Sequence, residues 1–175
     1  MARHVSINIK DAAEEIQFNA NGGHSVAMLK KLVRQKMISF VDPAVVMVQA
    51  GTVDVLDIFQ KNIYWISPAK VAERVLQLCF LIADKYPAAS ILVCSVLPIP
   101  KIPESIYFIK KLNSHLCSTS TMCIRNVSYV NTWNTFVKKD WPKEFLFNKK
   151  GIHLTKKGKT ILAMRLKQHL SLYFY

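Results

Sequence analysis

His153 is the residue whose type and surroundings most directly suggest chemistry. It lies on a glycine-bounded turn between the lysine pairs Lys149–Lys150 and Lys156–Lys157, just before an amphipathic segment. An imidazole can act as the general base for a serine nucleophile when a carboxylate fixes its tautomer and stabilises the imidazolium. A nearby ammonium group disfavours the imidazolium instead. The local sequence therefore favours either an impaired catalytic histidine or a site that attracts anions.

The apolar pattern alternates between two kinds of element. Runs rich in β-branched residues, such as Ala44–Ala50, are typical of buried parallel strands, and apolar residues at every third or fourth position are typical of helices. The predicted strands are Ile16–Asn19, Ala44–Ala50, Ser90–Leu97 and Met122–Tyr129, and the predicted helices are Met1–Ala13, Ser25–Ile38, Ser67–Tyr86, Glu104–His115 and Leu154–Tyr173. Strands separated by helices predict an α/β fold, a three-layer α-β-α sandwich around a parallel sheet.

Length and charge narrow the class of protein. The 175 residues fit one domain, which we place at residues 1–175. The chain has 24 Lys and Arg against 11 Asp and Glu, a net charge of +13, which favours a polyanionic partner: nucleic acid first, an anionic membrane second. No apolar stretch reaches the roughly 18 residues that span a bilayer, and the N-terminus has no apolar core of a signal peptide. We therefore expect a cytoplasmic protein.

The four cysteines predict neither a metal site nor a redox pair. Cys79, Cys94, Cys117 and Cys123 lie in apolar or strand-like contexts, and none belongs to a C-x-x-C pair. Buried, reduced thiols are the expectation for such a pattern in an intracellular protein, with no metal and no cofactor.

Three short stretches lie directly after a predicted strand or directly before a predicted helix. N19-A-N-G-G-H-S25 follows the first strand, Q49-A-G-T-V-D54 follows the next, and K150-G-I-H153 precedes the last helix. In order, spacing and context they resemble sequence blocks of the SGNH (GDSL-type) hydrolases, over nearly the whole chain. The resemblance implies a flavodoxin-like sheet. It also implies an ester-hydrolase site built from a nucleophilic serine, oxyanion donors from a glycine and an asparagine, and an Asp-x-x-His pair.

Four residues of this chain match the family's blocks. Gly23 stands at the position of the oxyanion glycine, Gly51 and Asp54 match two positions of the G-x-N-D block, and His153 stands at the catalytic histidine. The family's G-D-S block is absent. Because family members often continue after that block with a sequence like M-A-R-H-V, we expect Met1 to lie just beyond it and the first strand of the sheet to be missing from this chain.

Two substitutions argue against catalysis. Val53 replaces the asparagine of G-x-N-D, and Lys150 replaces the aspartate of Asp-x-x-His. Loss of the carboxylate costs about 10⁴ in rate in a serine protease, and loss of one oxyanion donor costs about 10²–10³. The resemblance therefore predicts a non-catalytic relative in which Gly23, Gly51, Asp54 and His153 mark a former site.

Ser25 is an alternative candidate for the nucleophile of a catalytic site. The stretch from Gly23 to Ala27, G-H-S-V-A, is similar to the G-x-S-x-G turn that exposes a nucleophilic serine, with alanine in place of the last glycine. Ser25 could then be the nucleophile and His153 its base. Ser25 equally suits the N-cap of the helix that follows.

Basic residues cluster near the C-terminus. The stretch from Lys138 to Lys167 has ten Lys and Arg against two Asp and Glu, which leaves +8 of the chain's +13, and Trp133, Trp141, Phe145 and Phe147 lie within it or next to it. Basic residues interleaved with aromatic residues suit nucleic-acid binding. The candidate RNA-binding residues are Lys30, Lys31, Arg34, Lys138, Lys139, Lys149, Lys150, Lys156, Lys157, Lys159 and Arg165.

A basic SGNH-like domain without its catalytic residues is similar to the OSK domains of insect Oskar proteins. That resemblance implies RNA binding in germ plasm assembly, protein partners in ribonucleoprotein granules and a cytoplasmic location. Two alternatives stay open: an SGNH-type esterase or lipase that acts on a small ester, and a protein-interaction scaffold that uses the apolar tail S171-L-Y-F-Y175.

Overall fold

The computed structural model describes residues 23–122 and 126–173. The predicted helix Met1–Ala13, the predicted strand Ile16–Asn19 and Cys123 lie outside the described residues. The described part contains the sheet that positions the candidate site.

Three parallel strands form this sheet, in the order β1-β2-β3. Val45 lies opposite Ser90, and Ile91 lies opposite Val127. The strands are β1 (Val45–Val48), β2 (Ser90–Cys94) and β3 (Val127–Val130). The parallel pairing confirms the predicted α/β fold, and β1 and β2 lie within the predicted strands Ala44–Ala50 and Ser90–Leu97.

The helices occupy both faces of the sheet. They are α1 (Val26–Arg34), α2 (Thr52–Gln60), α3 (Pro68–Lys85), α4 (Ser105–Met122), α5 (Trp133–Phe136) and α6 (Lys156–Leu170). A short hairpin of β4 (Val137–Lys138) and β5 (Trp141–Pro142) follows α5, and 3-10 turns occupy Glu144–Leu146 and Ser171–Tyr173.

Alternating strand residues divide the core between two layers. Val46, Val48, Ile91 and Val93 pack in one cluster with residues of α1, α2, α3 and α4. Leu92, Cys94 and Val130 face the other way and pack against Leu166 and Leu170 of α6. Side chains of successive strand residues point to opposite faces, so this alternation produces the predicted three layers.

Side-chain caps fix the starts of three helices. The Oγ of Ser25 accepts a hydrogen bond from the N–H of Met28 at 3.4 Å, and the Oγ of Ser67 accepts one from the N–H of Lys70 at 3.2 Å. Thr155 caps α6 through the N–H of Gly158 at 3.1 Å. These bonds satisfy helix N–H groups that have no partner inside the helix, and they confirm the predicted cap at Ser25.

Several predicted boundaries are wrong. The helix predicted to end at His115 continues to Met122 because its buried face continues through Leu116 and Ser120. The predicted strand Met122–Tyr129 consequently begins only at Val127. The predicted helix Ser25–Ile38 ends at Arg34, and Lys36 then takes a left-handed φ of 59° that no helix interior accommodates.

Candidate functional site at the carboxyl edge of the sheet

Gly51 forms the turn between β1 and α2. Its φ is 108°, a conformation that residues with a Cβ rarely adopt, and a Cβ there would lie 3.1 Å from Cγ2 of Val96. Glycine is therefore required both by the backbone and by the close approach of the loop after β2. The turn brings the N-terminus of α2 to the carboxyl edge of the sheet, where parallel α/β folds place their ligand sites.

Asp54 joins this turn to the start of α1. Its Oδ2 accepts a hydrogen bond from the N–H of Val26 at 2.9 Å, and the residue is only 8% exposed. Burial raises the pKa of the Asp54 carboxyl above its ordinary value, while the bond from Val26 and the charge of Arg74 act in the opposite direction. The carboxylate lies between the N-termini of α1 and α2, where both helix dipoles favour a negative charge.

Gly23 lies three residues before Val26 and has a φ of 81°. The Asp54–Val26 bond therefore holds the turns of Gly23 and Gly51 side by side, as the sequence blocks imply. Ser25 lies between them, but its hydroxyl oxygen caps α1. This bond supports the cap and gives no support to Ser25 as a nucleophile.

The His153 turn is tied to the same edge. The N–H of Asn148 donates to the carbonyl of His153 at 2.7 Å, and the N–H of Lys101, in the loop after β2, donates to the carbonyl of Gly151 at 3.2 Å. Gly151 has a φ of 62°, and a Cβ there would lie 2.5 Å from the backbone nitrogen of Lys101. This contact explains the glycine before His153 and fixes the turn relative to the sheet.

The imidazole of His153 is exposed. Within residues 23–122 and 126–173, no Asp or Glu and no hydrogen-bond donor or acceptor contacts its ring. Lys150 is also exposed, and Val53 is half-buried in the first turn of α2. His153 thus lacks a carboxylate partner among the described residues, and the side chain of Val53 offers no hydrogen-bond donor.

Buried polar residues that the sequence did not single out support this edge. The side-chain amide of Asn113 on α4 bonds both the N–H and the carbonyl of Val96, at 2.8 and 2.9 Å. Ser95 Oγ lies 2.8 Å from the hydroxyl of Tyr129 and accepts from the N–H of Thr132 at 3.0 Å. Most buried polar groups in proteins are hydrogen-bonded in this way. A polar residue on an apolar helix face, as at Asn113, was the signal that could have indicated this role.

The candidate RNA-binding residues do not form one surface. Those of α1 lie in the layer that contains α3, where the ammonium of Lys30 bonds Gln77 at 2.8 Å. Those of α6 lie in the opposite layer. Most of the set is exposed: Lys31, Arg34, Lys138, Lys139, Lys149, Lys150, Lys156, Lys157, Lys159 and Arg165.

The four aromatic residues of the basic stretch divide into two pairs. Trp133 and Phe147 are buried in the core, at 8% and 5% exposure. Trp141 and Phe145 are exposed, and the ammonium of Lys157 lies 5.1 Å from the centre of the Phe145 ring. Only the second pair is accessible to a ligand.

The described residues contain no group of three or more His, Cys, Asp or Glu side chains that could hold a metal ion. Among the helices in this part of the chain, none combines the length and apolar character needed to cross a membrane.

Three solved structures of hydrolases have a similar architecture. A GDSL-like lipase from Bacteroides thetaiotaomicron has a TM-score of 0.65 at 20% identity, over 85% of this chain and 72% of the lipase. An acylhydrolase-like protein from Bacteroides fragilis has a TM-score of 0.69 at 16% identity, over 88% and 73%. A family 3 carbohydrate esterase from Talaromyces cellulolyticus has a TM-score of 0.63 at 14% identity, over 94% and 77%.

This chain has an SGNH-hydrolase-like α/β fold. No protein-family model matches the chain, and no curated protein matches it in sequence. The structural likeness confirms the fold expected from the three sequence blocks. It carries no information on the likeness to OSK domains, which stays a prediction.

Proposed function

We propose that this domain binds acyl esters at the carboxyl edge of its sheet and hydrolyses them slowly, with His153 as the general base. The observation that carries the proposal is the pair of adjoining turns at Gly23 and Gly51, held together by Asp54. The His153 turn is tied to that same edge through Lys101. The hydrolase names of the structural neighbours support ester chemistry at such an edge.

The chain's own residues supply two of the roles that ester hydrolysis needs. A water molecule attacks the ester carbonyl, and the imidazole of His153 takes a proton from that water. The backbone N–H groups of Gly23 and Gly51 donate to the oxyanion of the tetrahedral intermediate. As the intermediate collapses, the imidazolium returns the proton to the leaving alcohol. No serine among the described residues is assigned as the nucleophile.

The reaction is expected to be slow for two reasons. The side chain of Val53 supplies no oxyanion donor, and Lys150 stands three residues before His153, at the sequence position where an aspartate would stabilise the imidazolium. If these two substitutions lower the rate below detection, the domain is non-catalytic, as predicted from the sequence.

Hydrolysis of p-nitrophenyl acetate tests the proposal. The wild-type protein should show slow, saturable release of p-nitrophenol above the buffer rate, and His153→Ala should reduce it to that rate. His115→Ala, which removes an exposed histidine on α4, is the matched control and should retain the activity. Equal rates for wild type and His153→Ala would exclude His153 as the base.

A second candidate function is RNA binding without catalysis, as in OSK domains. The observation that favours it is uncompensated charge: three salt bridges involve lysines in the described residues, and only that between Lys110 and Asp140 involves the segment from Lys138 to Lys167. The names of the structural neighbours support ester hydrolysis better than RNA binding, because they describe a lipase, an acylhydrolase and an esterase.

Salt dependence tests this second candidate. The affinity for a labelled single-stranded RNA should fall with salt, with a log–log slope of about −0.7 for each phosphate contacted. Charge reversal at Lys149, Lys150 and Lys156 should weaken binding and flatten that slope. Lys70→Glu, at a lysine already paired with Glu73, is the control for a single charge reversal outside the segment and should be compared with Lys150→Glu alone. RNA binding that ignores the three reversals would contradict the candidate.

A further inference from the structure

The hairpin of β4 and β5 presents an exposed aromatic residue among lysines. Lys138 and Trp141 lie directly opposite each other in the hairpin, and Trp141 is 70% exposed. The two residues between them, Lys139 and Asp140, both have positive φ, 50° and 62°. Positive φ at both positions is the signature of a type I′ turn, where Asn-Gly or Asp-Gly is preferred and a lysine is unfavourable.

The base of the hairpin is rigid. Phe136 and Val137 are buried, and the N–H of Lys143 donates to the carbonyl of Phe136 at 2.8 Å. The ammonium of Lys143 also bonds the carbonyl of Thr135 at 2.9 Å. The exposed tip therefore projects from a fixed platform, so that its side chains lose little conformational freedom when they bind a ligand.

Helix α4 adds a second exposed ring beside the hairpin. Lys110 pairs with Asp140 at 2.8 Å, which holds this part of α4 against the turn. Tyr107, one helical turn earlier, is 63% exposed, and the ammonium of Lys111 lies 4.7 Å from the centre of its ring. Residues three and four apart share a helix face, so Tyr107 and Lys111 lie on the side of α4 that carries Lys110.

We propose that Trp141 and Tyr107, with Lys111, Lys138 and Lys139, form a contact surface for single-stranded nucleic acid. The proposal rests on the second candidate function and gives it a location on the hairpin and α4. Exposed rings stack on unpaired bases, and lysines beside them neutralise phosphates. Three lysines, beside an Asp140 whose charge is already paired with Lys110, make the surface complementary to a polyanion. The exposed side chain of Lys139, at the tip of the turn, contacts the phosphates of the strand.

The test measures binding of a fluorescent 20-nucleotide oligouridylate at low salt. Trp141→Ala should weaken binding about 5- to 150-fold, the range expected for loss of one base-stacking ring. Trp65→Ala removes a tryptophan that is 82% exposed and lies after α2, and this control should bind as the wild type does. Lys139→Asn removes a lysine, suits the positive φ of the turn and should also weaken binding.

The outcomes separate this inference from the second candidate function. If Trp141→Ala binds like the wild type while the reversals at Lys149, Lys150 and Lys156 weaken binding, RNA binding stands and the hairpin surface is overturned. If the wild type binds no oligouridylate, both are overturned. Equal affinity for a 20-base-pair duplex, or binding to phosphatidylserine vesicles that depends on Trp141 in place of RNA binding, would also overturn the proposal.

Discussion

The carboxylate of Asp54 accepts a 2.9 Å hydrogen bond from the backbone N–H of Val26, and so fixes the start of α1 against the first turn of α2. This bond crosses 28 positions of the sequence. It is the contact that brings the turns of Gly23 and Gly51 together, and the proposed ester site depends on it.

Asp54→Ala should destabilise the protein by about 1–3 kcal/mol, because it leaves the buried N–H of Val26 without a partner. Asp54→Asn keeps an acceptor oxygen in nearly the same place and should cost less. Urea denaturation of both variants measures the difference. Equal stability losses for the two variants would show that the hydrogen bond is not what Asp54 contributes.

The same residue predicts a pH dependence. Burial raises the pKa of Asp54 above the ordinary value of 3.8, so the folded protein keeps its proton at pH values where the unfolded chain has lost it. Stability then falls as the pH rises from 3.8 through the folded-state pKa. The free energy of unfolding of wild type relative to Asp54→Asn should therefore decrease between pH 4 and neutrality. A constant difference over that range would contradict the raised pKa.

Gly158 should not tolerate a side chain. A Cβ at this position in α6 would overlap the backbone carbonyl of Leu146, and α6 would have to shift away from the 3-10 turn Glu144–Leu146. Gly158→Ala should lower the melting temperature, although alanine is the better helix former. Lys159→Ala, at an exposed position in the same helix, is the control and should change it little. An unchanged melting temperature for Gly158→Ala would show that the helix can move without cost.

The reactivity of the cysteine thiols tests whether Cys79 and Cys94 are buried in the core. Burial raises the pKa of Cys94 to about 12 and also raises that of Cys79, whereas Cys117 is exposed. Reactivity requires an accessible thiolate. Iodoacetamide at pH 8 should therefore modify Cys117 in the native protein and reach Cys79 and Cys94 only in urea, as mapped by mass spectrometry. Rapid native modification of Cys79 or Cys94 would contradict this packing.

Substitutions in the turn of the hairpin should increase the stability of the protein. Lys139→Asn with Asp140→Gly supplies the residues that a type I′ turn prefers and should raise the unfolding free energy, less the small contribution of the exposed Lys110–Asp140 pair. Thermal denaturation measures the net gain. A loss of stability would show that the two positive φ angles are not a source of strain.

The sequence predicted the elements whose signals are local. The β-branched residues of Val45–Val48 and the Ser-Pro start of α3 specify a buried strand and a helix cap from neighbouring residues alone. It missed α2, whose nine residues follow Gly51 without a side-chain cap. It also missed the hairpin, because the turn Lys139–Asp140 has neither the Asn-Gly nor the Asp-Gly pair that indicates a two-residue hairpin turn.

The site itself was only partly predictable. The resemblance to the family's blocks selected Gly23, Gly51, Asp54 and His153. The hydrogen bonds from Val26 to Asp54 and from Val96 to Asn113 were not predictable, because they join residues far apart in sequence. The separation of the basic residues into opposite layers follows from the alternation of strand side chains. That separation can be assigned only when the order and faces of the helices are known.

The most direct test of the proposed site is to restore the missing carboxylate. Lys150→Asp should raise kcat/KM for p-nitrophenyl acetate by at least tenfold, because an acid three residues before His153 stabilises the imidazolium. The double variant with His153→Ala should lose the gain. No increase in Lys150→Asp, or an increase that survives the loss of His153, would contradict the account of His153 as the base of an ester-hydrolase site.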